Sequence, residues 1–409
     1  LENALSPQGT LTLATSTSVD GPKVAFSEST LSLGSSLALG GDGAAILGEA
    51  VSLDDDNFPF GVDLGQSAAV QSRTTGLASF IGSSDRTTTS IATATGGYNL
   101  SVAGDAERDD EYRAEFAASD VSLREEADLP RLQLTSELTD GVETFFGFNG
   151  SSNTDAGLVQ SLPASGDFFQ PTTFLAPFDQ LSGEQTGGGT KVELGDNTDL
   201  SVAAFTSSDN DAARQSVTQK IELVHKTVGD IELRLGYGFL QEDGGFLGSE
   251  ASGAFGADSG GNSQYIDLSV LAPLSDKVSL FGAYTRGETD ASGGGNSLLS
   301  NYSTLRSEAF GAGLVMTDIA EKGDGLSLIV GQPLRVTDGS ADVTVPTGRT
   351  EDGRVEQESG TLDLAPEGRE IAIEAVYNFA LDSDDQSFTA GSFVRLNPDH
   401  DENADPDVG

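Results

Sequence analysis

Ile231-Glu232-Leu233-Arg234-Leu235-Gly236-Tyr237-Gly238-Phe239 places a large apolar residue at every second position, with a charge or a glycine between. Successive side chains of a strand point to opposite faces, so this run has one oily face and one small or polar face. Ile371-Ala372-Ile373-Glu374-Ala375-Val376-Tyr377-Asn378-Phe379 repeats most of the pattern. Similar runs recur near 10–15, 88–104, 131–139, 190–206, 216–226, 264–273, 277–287, 306–317, 325–330, 354–364 and 387–396. The charged stretch from Glu107 to Leu123 could read as a helix, but Glu111 to Phe116 also alternates, and a strand is predicted there. Val228-Gly229-Asp230 and Lys322-Gly323-Asp324-Gly325 suit tight hairpins, whereas 242–262 and 288–301 are long Gly/Ser/Asp connections. The predicted fold is all-β: an antiparallel up-and-down meander forming a large β-barrel of roughly 12 or more strands. Residues 1–58 read as a β-rich N-terminal extension or connector and 59–409 as the barrel-like domain. Residues 149–190 form a second loose stretch, holding Phe168, Phe169, Phe174 and Phe178.

The chain has 409 residues, 65 acidic against 21 basic side chains and a formal charge of −44. That balance excludes the usual nucleic-acid binder, which needs a basic face for phosphates. The absence of Cys excludes disulfides, thiolate zinc sites and a cysteine nucleophile, and two histidines do not make a multi-histidine metal centre. No run approaches the ~20 consecutive apolar residues of a transmembrane helix. The opening Leu1-Glu2-Asn3 lacks an initiator Met, which predicts a piece of a longer precursor with its export signal upstream.

A sheet with one apolar and one Gly/Ser/charged face has three homes: a sandwich, a membrane barrel with a polar lumen, or an assembly in which neighbours cover the oily side. Strand length and the small residues Ser269, Ser279, Gly282, Ala283, Gly311 and Gly313 favour the barrel. The absence of Trp and the presence of only 7 Tyr count against aromatic girdles and favour the assembly or a soluble form. Glu232 with Arg234, and Arg306 with Glu308, would face the lumen of a barrel or the water around a sandwich.

No constellation of catalytic residues is present, so no enzyme activity is assigned to this chain. His225 lies in an alternating run and reads as one polar strand position; His400 lies in an acidic tail and reads as solvated. Gly187-Gly188-Gly189 is followed by Thr190-Lys191-Val192, which is not a phosphate-cradling loop. Asp54, Asp55, Asp56, Asp209, Asp211, Asp382, Asp384 and Asp385, with the tail from Asp399 to Asp407, supply oxygen ligands of the kind Ca²⁺ takes, yet none matches a spaced Ca²⁺ loop. The plainer reading is a solvated acidic surface with no cofactor.

Several segments carry a resemblance. Gly244 to Phe255, Ser297 to Ser300, Leu305 to Phe310, Gly325 to Val336, Val345 to Thr350, Leu362 to Glu370 and Asn397 to His400 resemble the C-terminal regions of alphaproteobacterial subtilisin-like serine peptidases, and Leu1 to Pro7 resembles the helix that closes such a protease domain. The resemblance implies an autotransporter-like outer-membrane barrel following a serine endopeptidase domain that is absent from this chain. It implies outer-membrane lipid as the partner and the outer membrane or cell surface of a Gram-negative bacterium as the location. The family continues past the equivalent of Gly409 with one more strand. Its absence here motivates an alternative: an extracellular subunit that completes its sheet with copies of itself, in a filament or sheath.

Overall fold

The computed structural model describes residues 7, 9–18, 21–70, 86–92, 98–105, 131–150, 177–182, 185–208, 215–256, 259–293, 297–322, 324–380 and 387–409. Fifteen strands form one sheet. In chain order they are β1 (Arg86–Ala92), β2 (Tyr98–Asp105), β3 (Arg131–Thr139), β4 (Val142–Gly150), β5 (Gln185–Gly195), β6 (Thr198–Ser208), β7 (Gln215–Lys226), β8 (Glu232–Asp243), β9 (Gly260–Ser275), β10 (Val278–Ser292), β11 (Leu305–Thr317), β12 (Gly325–Asp338), β13 (Ile371–Ala380), β14 (Ser387–Leu396) and β15 (Asp407–Val408). Each pairs antiparallel with the next, so the sheet is an unbroken meander. This is the expected all-β topology. Among the described residues no ladder joins β1 to β14 or β15.

The two ends of the sheet differ. The β7–β8 turn is tight, with Gly229 and Asp230 both at positive φ (106° and 59°), a geometry Gly adopts freely and Asp tolerates. Thr227 N–H donates to the Ile231 carbonyl across it (2.8 Å). The β3–β4, β5–β6, β9–β10 and β11–β12 connections lie at the same end, while β8–β9, β10–β11 and β12–β13 are joined by long segments at the other. The run from Glu111 to Phe116 and the residues Phe168, Phe169 and Phe174 lie outside the described residues.

The long segments carry structure of their own. Leu299–Ser300, Ser340–Arg349 and Val355–Asp363 form a separate three-stranded sheet, so the run near 354–364 belongs to a hairpin outside the main sheet. Residues 7–70 supply a four-stranded sheet and the helix Gly41–Leu47. The boundary expected between 58 and 59 falls inside this unit, because Pro59–Gly61 pairs with Val51–Leu53 and Ala68–Val70 pairs with Leu31–Leu33. The same Leu31–Leu33 strand pairs with Glu250–Ala251 from the β8–β9 connection. One apolar core joins these parts: Leu13, Leu33 and Leu47 pack with Phe246 and Phe255, Leu299, Val343 and Leu362. Burying such side chains is the main gain on offer to a chain rich in Gly and Asp, and it fastens the N-terminal unit to the long-segment end of the sheet.

Candidate functional site

The main sheet wears its polarity outward-in. On β8 the covered residues are Glu232, Gly236, Gly238, Leu240 and Glu242, with Arg234 half-buried; Leu233, Leu235, Tyr237 and Phe239 are exposed. On β7 Ser216, Thr218, Lys220 and Glu222 are buried while Val217, Ile221 and Leu223 are exposed. The pattern continues through Ile266 and Leu268 on β9, Leu280 and Tyr284 on β10, Leu328 and Val330 on β12, Ile373 on β13 and Val394 on β14. Register makes these residues a continuous band: Leu223 opposes Leu235, which opposes Leu268, which opposes Tyr284. From Ile266 to Leu274 the band spans about 27 Å of strand at ~3.4 Å per residue. A soluble surface rarely shows a contiguous apolar patch above roughly 300–600 Å²; this one crosses strand after strand.

The covered face carries the charges. Lys220 Nζ lies 3.1 Å from Asp179 Oδ2 and 3.0 Å from Asp267 Oδ2, with all three side chains almost fully buried. Tyr265 donates to Asp179 Oδ1 (2.5 Å), and Thr285 donates to Asp267 Oδ1 (2.7 Å). Arg234 reaches Glu232 at 2.5 Å and Glu222 at 3.7 Å. Buried charges persist only when paired and hydrogen-bonded, and here cross-strand neighbours on one face do the pairing. Asp179 does not belong to the sheet. It sits in the short segment 177–182, whose Phe178 ring stacks on Tyr265 (centroids 4.5 Å apart, planes 3° apart). Alternation alone could have marked Lys220, Glu222 and Asp267 as one face; nothing local marks Asp179 as their partner.

The two charge pairs read from the sequence separate. Glu232 and Arg234 lie within the covered network. Arg306 sits half-exposed on the other face, 3.4 Å from Glu288 and 3.2 Å from Asp338, and Glu308 meets Arg369 (3.2 Å). Of the small residues, Gly313 is required by packing: a Cβ there would stand 2.5 Å from the Phe281 ring. Gly282 lies on the exposed face with room beside it. Gly187 to Gly189 lie inside β5; Gly187 makes space for the Phe205 ring and Gly189 for the Phe145 ring of the neighbouring strands.

His225 is an exposed strand residue 2.9 Å from the Thr198 hydroxyl. His400 is not solvated as its acidic surroundings suggested. It is buried, accepts the Glu370 backbone N–H at Nδ1 (2.8 Å), and sits with Nε2 3.0 Å from the Leu334 carbonyl, which assigns the neutral Nε2–H form. Burial pushes its pKa down to about 4. Asp324, in the β11–β12 turn, is held down to about 2 by the Tyr377 hydroxyl (2.6 Å) and by the backbone N–H groups of Ala320, Glu321 and Ile319.

Of the carboxylates that could ligate Ca²⁺, Asp54, Asp55, Asp399 and Asp407 have other partners. Asp54 is buried and accepts the N–H groups of Asp56 (3.0 Å) and Phe58 (2.8 Å), an Asx-type turn. Asp55 accepts from Thr10, and Asp56 is exposed. Asp399 and Asp407 both approach Arg395. Asp209, Asp211, Asp382, Asp384 and Asp385 lie outside the described residues. Among the described residues no three His, Cys, Asp or Glu side chains converge as a metal site, and no helix there is long and apolar enough to cross a membrane. No family model, curated protein or solved structure matches this chain.

Proposed function

We propose that this chain is the non-catalytic membrane anchor of a larger surface protein: an outer-membrane β-barrel whose exposed band faces lipid and whose charged face lines the lumen. The observation that carries this reading is the inverted polarity of β7 to β10, with Leu235, Ile266 and Leu268 bare and Lys220, Glu222 and Asp267 buried. Water-soluble sandwiches arrange their strands the other way round. Lipid-facing and lumen-facing residues alternate in this sense in outer-membrane barrels, which also have short turns at one end and long loops at the other. The resemblance to the C-terminal regions of subtilisin-like peptidases supports the same role and adds a translocated protease domain upstream. The test is fractionation and flotation of the full chain with phospholipid vesicles. Release only by detergent is the expected result; a soluble monomer that ignores vesicles overturns the reading.

A second reading has its own observation. β1, at the other end of the sheet, pairs only with β2, so the outer edge of Arg86–Ala92 has no ladder partner among the described residues. An unpaired edge accepts a strand from another chain. Completion between copies would give a filament or sheath, and negative-stain images showing only isolated particles at high concentration reject it.

A further inference from the structure

The segment 177–182 is the only described part of the long stretch between β4 and β5, and it is seated on the covered face by contacts that match the sheet in both shape and charge. Phe178 is fully buried, and it occupies the space left by Gly287 of β10: a Cβ at that position would stand 2.3 Å from the ring. Tyr265, on which Phe178 stacks, itself lies over Gly238 of β8, where a Cβ would stand 2.2 Å from the phenol ring. Asp179 then takes one oxygen to the Tyr265 hydroxyl and the other to Lys220. Three strands thus contribute to one seat: β7 the ammonium, β9 the ring and hydroxyl, β10 the gap.

The ion pair has an asymmetry. Lys220 keeps a second carboxylate, Asp267 at 3.0 Å, whether or not Asp179 is present. The wall can therefore satisfy its own charges without the segment, whereas Asp179 depends for its charge on Lys220 among the described residues. A buried carboxylate that loses its cation is strongly disfavoured, so the pair holds the segment far more than it holds the wall. With the segment lifted, the wall would show Lys220 beside Asp267, with Glu222 next on the same face of β7: one ammonium against two carboxylates.

We propose that residues 177–182 form a strap that closes a cation-preferring passage along the inner face of the sheet, held shut by Phe178 in the Gly287 gap and by Asp179 on Lys220. The passage rests on the membrane-barrel reading; the strap and its seat do not. Because the chain has no Cys, the strap's position can be followed by one introduced thiol. The full chain carrying Leu181→Cys, alone or with Asp179→Asn or Gly287→Ala, is reconstituted in vesicles of neutral phospholipid and into planar bilayers of the same lipid in KCl. Asp179→Asn removes the strap's charge and leaves Lys220 paired; Gly287→Ala displaces the ring without touching a charge. Both are expected to raise maleimide labelling of the introduced thiol and the open-channel occupancy together, each by roughly tenfold or more, with K⁺ favoured over Cl⁻. Faster labelling with unchanged conductance overturns the passage. Unchanged labelling in both variants overturns the strap. A chain that does not enter the vesicles overturns the membrane reading and the passage with it, and labelling in detergent micelles then decides the strap alone.

Discussion

Arg395 grips Glu370 with two parallel hydrogen bonds, Nε to Oε1 at 2.8 Å and Nη2 to Oε2 at 3.0 Å, and both side chains are buried. The pair ties β14 to the residue that precedes β13, and Glu370 Oε2 also accepts the Asp399 backbone N–H (2.8 Å). The C-terminal tail therefore folds back around one guanidinium. Removing it strands a buried carboxylate, so Arg395→Ala is expected to cost about 3–5 kcal/mol. Arg395→Lys recovers only part of this, because an ammonium cannot form the fork. Chemical unfolding of both variants in detergent measures the difference; equal stability of the Ala and Lys variants contradicts it.

Glycine in the strands is placed for neighbours' rings. Gly238→Ala sets a methyl against Tyr265, whereas at Gly282 the nearest atom to an added Cβ is Val270 Cγ1 at 3.5 Å, an ordinary contact. The first substitution is expected to destabilise by about 1–3 kcal/mol through overpacking and the second to be close to neutral. Thermal shifts of the two variants side by side provide the check.

The bare band makes a prediction that separates lipid from water as its surroundings. Leu268→Arg is expected to weaken vesicle insertion by about 2–4 kcal/mol if the residue sits near the bilayer midplane. The same change on a water-washed surface would shift stability by no more than ~0.5 kcal/mol. Flotation yield against urea concentration distinguishes the two.

His400 gives a pH signature. Its folded pKa of about 4 lies below its ordinary value of 6.5, so between those values the unfolded chain binds the proton and the folded chain does not. Stability is then full above pH 6.5, falls as the pH drops toward 4, and is down by about 3 kcal/mol at the end of that window. The Asp324 carboxylate, held at about 2, loses its contribution only below this range. Comparing stability–pH slopes of the wild type and His400→Gln isolates the effect; equal slopes between pH 6.5 and 4 refute it.

If the sheet spans an outer membrane as proposed, its two ends lie on opposite sides of it. Asp352, in the exposed turn of the hairpin beside the N-terminal unit, belongs to the long-segment end, and Asp230 to the tight-turn end. In intact Gram-negative cells an impermeant maleimide is expected to label Asp352→Cys directly and Asp230→Cys only after permeabilisation. Labelling of both without permeabilisation argues against a spanning sheet.

Strand positions and most of the turns are legible in the local residue pattern. Period-two alternation across Ile231 to Phe239 and Ile371 to Phe379, and Gly229-Asp230 between strands, are local facts that backbone geometry converts directly into a meander. The same alternation in the runs near 216–226 and 264–273 puts Lys220, Glu222 and Asp267 on one face and Ile221, Leu223 and Leu268 on the other. Which face is covered, and by what, follows from long-range packing. Asp179 reaches Lys220 from 41 residues away, Leu31–Leu33 pairs with Glu250–Ala251 across more than half of the chain, and His400 is buried by Leu334 and Glu370 despite an acidic neighbourhood. The hairpin from Ser340 to Asp363 alternates like any other strand pair, yet leaves the main sheet for the N-terminal unit. Alternation records that a strand has two unlike faces; it holds no information on which distant segment arrives to cover one of them, because that depends on the packing of apolar and charged groups brought together from far along the chain.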